Sequence, residues 1–106
     1  MELTNEKIRL ALQMALLGEI YGELRAVVYK YNSKEKSFLI RYYLNRKPTE
    51  YDYESISVVM AEFISNFKYS EFEEIKEECV FSSVHQSKLE SLDGFVYLKK
   101  EDISIA

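Results

Sequence analysis

A thiol and an imidazole stand six positions apart at Cys79 and His85, each the sole residue of its type in the 106-residue chain. In principle they could act as nucleophile and base. Cys79, however, falls in a strand-like run with inward parity, where cysteine usually serves as a small buried hydrophobe. His85 falls in a polar loop that should be solvated. With one histidine and one cysteine, no HExxH or CxxC spacing is possible, so the usual zinc sites are excluded. No Gly-rich phosphate loop or dinucleotide fingerprint is present, and no cofactor is expected. Carboxylates are plentiful, and Asp52 with Glu73 or Glu74 could form an acid pair in a cleft. One carboxyl of such a pair would carry a strongly raised pKa. No second catalytic group accompanies them, so the chain is not expected to be an enzyme.

The acids do point elsewhere. Residues 1–49 carry nine Lys and Arg against five Asp and Glu, whereas residues 50–78 carry two Lys against nine acids, within a net charge of −4. An acidic middle disfavours nucleic acid, whose phosphates require a basic footprint, and suits a basic protein partner. In "KPTEYDYES" (47–55), Glu50, Asp52 and Glu54 occupy a helix first turn, where the helix dipole favours acids by about 0.3–1 kcal/mol each. In "EFEEIKEE" (71–78), charge on an exposed strand discourages edge-to-edge aggregation. Those local reasons cover part of the excess, and the remaining acids repel one another. Tyr51, Tyr53 and Tyr69 are interleaved with them, and tyrosine offers contact area with a polar tip. The expected partner-binding residues are therefore Glu50, Tyr51, Asp52 and Glu54, with Glu71, Glu73 and Glu74. Thr49 and Asp52 have a capping reason to be there; Glu50, Tyr51 and Glu54 depend on it least.

The elements that position these groups follow from periodicity. Thr4 or Asn5 can cap a first helix, with Ile8, Ala11, Leu12, Ala15 and Leu16 on one side. Leu10, Met14 and Leu17 widen that stripe, which predicts a mostly buried helix, and Gly18 suits its left-handed end. "ELRAVVYKYN" and "SFLIRYYLN" read as two strands of an antiparallel hairpin around residues 32–36. Pro48 breaks the second strand. Thr49 then opens T-x-x-D, a capping-box variant. Ile56, Val59, Met60, Phe63, Ile64 and Phe67 follow at helical spacing, which predicts a helix over about 50–66. "FEEIKEECVFSS" predicts a third strand, "HQSKLESLDG" a loop turning at Asp93–Gly94, and "FVYLKK" a fourth strand. The expected fold is one α+β domain over 1–106. Its order is αββαββ, with a four-stranded, mainly antiparallel sheet and both helices on one face.

A lone cysteine suits a reducing compartment. Arg9 and Gln13 interrupt the N-terminal apolar run, Glu2 and Glu6 precede it, and no small-x-small cleavage site follows, unlike a secretory signal. No stretch approaches the ~18 apolar residues of a membrane span. A cytoplasmic protein without membrane contact is expected.

The chain also resembles a family of small bacterial proteins of about this length. "IRLALQMALLGEIYGELRAVVYKY" is similar to that family's I-x-L-A-L-x-x-A-L-L-G helix and L-R-A-V strand. The likeness continues through "FLIRYYLN". "PTEYDYESISVVMAEFISNF" looks like its P-[ST]-E-x-D-x-E-x helix, ending in A-E-F-I-x-x-F, and "GFVYLKKE" closes it. About residues 7 to 101 are covered. The chain departs from the pattern after the third strand, where "VHQSK" stands in place of prolines. The family is similar to toxin immunity proteins of polymorphic-toxin and contact-dependent growth inhibition loci. The resemblance implies an immunity protein that binds one cognate toxin domain, of a basic, nuclease-like class, and neutralises it by charge-complementary occlusion. When free it would be a monomer or weak homodimer. Other readings are a homodimeric scaffold pairing strand edges or tyrosine faces, and the carboxylate enzyme above.

Overall fold

The computed structural model describes residues 3–68 and 71–101, so Tyr69 lies outside the described residues. The chain runs α1 (Asn5–Ala15), β1 (Leu24–Asn32), β2 (Ser37–Leu44), α2 (Glu50–Ile64), β3 (Glu74–Phe81) and β4 (Gly94–Leu98). A 3-10 turn, Gln86–Lys88, precedes β4. Thr4 caps α1 by accepting the Lys7 N–H at 3.2 Å. Gly18 follows the helix at φ +81°, where a side chain would be strained. Ile8, Ala11, Leu12, Ala15 and Leu16 are buried as their spacing predicts. The wider stripe is not. Leu10, Met14 and Leu17 are 60%, 57% and 78% exposed, which corrects the expectation of a mostly buried helix. A helix laid on one side of a layer buries about one face; Leu10 and Met14 lie on the other, and Leu17 falls in the turn after the helix.

The strand order is β3-β2-β1-β4. β1 pairs antiparallel with β2 and with β4, but β2 pairs parallel with β3, from Ser37↔Glu74 to Leu44↔Phe81. The sheet is therefore mixed, not mainly antiparallel. The cause is α2, which carries the chain back along the sheet so that β3 starts at the same end as β2.

One parity of the central strands shares a core with both helices. Val27, Tyr29, Phe38, Ile40, Tyr42 and Leu44 cluster with Ile8, Leu12, Ile56, Val59, Met60 and Phe63. The other parity, Ala26, Val28 and Tyr43, forms a smaller cluster with Leu89 from the loop before β4. Strict alternation along β1 fails at its start. A register shift between Leu24 and Ala26 leaves Arg25 as an extra residue, so Leu24 joins the helix-side core. Arg25 uses its fork on the Glu101 carboxylate at 2.6 and 2.8 Å and donates to the Ser82 carbonyl at 2.8 Å. It thereby ties the segments after β3 and β4 to the sheet centre. The "VHQSK" segment is likewise held: His85 Nδ1 accepts the Ser87 N–H at 3.1 Å, and the Gln86 amide donates to the Lys99 carbonyl at 2.6 Å.

α2 ends at Ile64, two residues before the expected Asn66. Phe67 still reaches the core from the following turn, packing with Phe63 and Phe72 in an aromatic group where Phe63 stacks on Phe38 at 4.4 Å. β3 is shorter than expected at both ends. As an edge strand it leaves Ile75 and Phe81 45% and 46% exposed. Among the described residues no helix is long and apolar enough to cross a membrane.

Candidate functional site

The start of α2 is fixed by one buried carboxylate. Asp52 has no exposed surface. It accepts the Thr49 N–H at 2.7 Å and the Thr49 hydroxyl at 3.1 Å. The Tyr21 hydroxyl donates to it at 2.5 Å, and Arg46 donates at 2.6 and 3.2 Å. Burial alone would push the Asp52 pKa up. The Arg46, Tyr21 and Thr49 donors outweigh it and hold the carboxyl at about 2. Asp52 thus organises the corner, with its carboxylate turned inward.

That corner displays its neighbours. Glu50 and Glu54 are exposed. Tyr51 is 59% exposed, with its ring edge-on to Tyr21 at 5.0 Å, so its base is packed while its tip is free. Tyr53 is 48% exposed. Ser55, one turn in, is buried with its hydroxyl 2.9 Å from that of Tyr42. Beside them, Tyr51, Glu54, Ser55 and Val58 line a shallow groove with Glu19. Glu19 is the residue that sequence reasoning missed. It is a single acid in a turn, and its spacing carries no signal.

The second expected group lies elsewhere. Glu71 is half-buried, and Glu73 and Glu74 are exposed where β3 begins, beside Ser37 at the hairpin end of β2. Fourteen helical steps separate the two ends of α2, roughly 20 Å. Glu50, Tyr51 and Glu54 therefore do not share a patch with Glu71, Glu73 and Glu74. Glu74 lies 3.5 Å from Lys76 with both side chains exposed, a pair of little energetic weight. The same separation undoes an acid pair of Asp52 with Glu73 or Glu74. The Cys79 thiol, half-buried in β3, is pushed up to about 12 by burial and then by Asp52 and Glu77, so it stays protonated and a poor nucleophile.

The sequence pattern of the MafI2 immunity protein family matches residues 5–101. The chain belongs to the MafI2 immunity protein family. The match takes in both helices and all four strands. No curated protein matches the chain. As a MafI2 immunity protein it has a toxin as its general class of partner.

The cap carries a pH signature. With a folded pKa of about 2 against an ordinary 3.8, Asp52 contributes stability that is fully present above about pH 4 and is lost as pH falls towards 2. The expected loss is about 2 kcal/mol. Urea unfolding at pH 5 and pH 2.5 reads it, and Asp52→Asn should flatten the difference by about that amount. An unchanged pH dependence in the variant would remove this account.

Proposed function

We propose that the chain is a stoichiometric, non-enzymatic inhibitor of one basic, nuclease-like toxin domain, acting by charge-complementary occlusion. The observation that carries this reading is the set of acids without intramolecular ion pairs beside exposed tyrosines, on a chain of an immunity family. Among the described residues Glu50 and Glu54 form no ion pair, and Tyr51 and Tyr53 flank them. Tyrosines supply anchoring area, and the acids steer encounter and fix register. An ordinary interface of ~800 Å² per partner is roughly 30 Å across. One toxin domain laid along α2 would therefore reach Glu71, Glu73 and Glu74 as well as the cap.

The test is co-expression with the C-terminal domain of a large secreted protein encoded beside this chain's gene. Growth should be rescued, and the purified proteins should associate in a fixed ratio. The association rate should fall about tenfold or more between 0.05 and 0.5 M salt, while the dissociation rate changes little. A rate indifferent to salt would exclude steering by these acids. Failure to rescue with both proteins folded would count against inhibition itself.

A further inference from the structure

The groove between the end of α1 and the start of α2 has a composition that names its occupant. Glu19, Tyr51, Glu54 and Val58 line it, and its volume of about 190 Å³ falls below the ~300 Å³ where small-molecule pockets begin. It accommodates one side chain, not a metabolite. Two carboxylates select a cation. Tyr51 and Val58, 59% and 48% exposed, offer apolar walls for an aliphatic stem. A tyrosine face adds attraction for a cation close above it. No lysine or arginine stands in the last turn of α1 to answer its negative end, and Glu19 follows that turn.

A second feature lies next to Glu19 along the chain. Leu10 and Met14, at i and i+4, share one face of α1, and Leu17 follows in the turn after it, all at 57–78% exposure. Ile20, 42% exposed, follows Glu19 directly. Scattered apolar residues on a surface need no explanation, but here Leu10, Met14, Leu17 and Ile20 are all exposed in the one segment that leads to and past Glu19 of the groove. Methionine within it suits an adaptable protein contact.

We infer that this face receives a basic, amphipathic segment of the toxin, with a Lys or Arg side chain seated between Glu19 and Glu54 and the segment's apolar residues on Leu17, Met14 and Leu10. The inference rests on the toxin-inhibitor reading and gives it an address. It makes the end of α1, rather than the start of β3, the anchor of the complex.

The probe is the same toxin domain, rendered inactive, with affinity measured by calorimetry for three variants of the full chain. All substituted positions but Glu19 are exposed, and each variant is first matched to wild type by circular dichroism and melting temperature. Glu19→Lys with Glu54→Lys should weaken binding roughly a hundredfold, and Leu17→Asp with Met14→Asp at least tenfold. Glu73→Lys with Glu74→Lys should cost less than tenfold. If the lysine pair fails to fold, Glu54→Lys alone replaces it and should still cost tenfold or more. A toxin Lys or Arg changed to Glu that restores binding to the lysine pair would identify the seated side chain. If wild type binds and protects cells, but the groove and stripe variants bind equally well, this inference alone is overturned. If wild type neither binds nor protects, the toxin-inhibitor reading falls and takes this inference with it.

Discussion

Asp52→Ala should lower the unfolding free energy by about 3 kcal/mol, near the low end for breaking a buried charged pair. Five hydrogen bonds from Tyr21, Arg46 and Thr49 converge on its carboxylate. Alanine would leave the Thr49 N–H and the Tyr21 hydroxyl without their acceptor, and unmet buried donors are costly. The loss stays at the low end because the Arg46 side chain is one-third exposed and can turn towards water. Denaturant unfolding should show a lower midpoint with an unchanged slope. Binding at the proposed face should weaken too, because Tyr51 leans on Tyr21 and α2 would fray from its first turn. A stability change below about 1 kcal/mol would mean that Thr49 and Arg46 find substitutes.

Phe63→Ala should cost about 4 kcal/mol, the usual range for emptying a large aromatic site. Phe63 is fully buried, and its ring meets Phe38, Phe67 and Phe72 at centroid distances of 4.4, 5.0 and 5.7 Å. Phe63→Leu should recover most of the loss, leaving about 1–1.5 kcal/mol. The two substitutions act on opposite ends of α2, more than 10 Å apart. Their effects should add to within about 0.5 kcal/mol in the double variant.

Much of this architecture was legible in the residues. The Ile56, Val59, Met60 and Phe63 spacing marked the buried face of α2, T-x-x-D marked its start, and the alternation in β2 marked its core face. Three things were not legible, each for a physical reason. Strand direction is not written in a run such as EIKEECVF; it follows from the return path of α2. The outer residues of α1 are as apolar as its inner ones, so hydropathy could not show which side met the core. Finally, closeness in sequence misled. The acids of 50–54 and 71–74 look like one group along the chain, but a fifteen-residue helix holds them apart. Glu19, distant in sequence, is the acid that lines one groove with Glu54.

The groups that shape the cap all come from residues 21–55: Tyr21, Tyr42, Arg46, Thr49, Asp52 and Ser55. That segment contains the central hairpin, β1 and β2, whose pairing closes a loop of four turn residues. Short loops close early and cheaply in chain entropy. The edge strands must close much longer stretches before they are rewarded. If the hairpin forms early and the cap is tied to it, the hydrogen-bonded backbone amides of the cap should be among the slowest to exchange with solvent. A cap built this way should stay closed when the edge strands open.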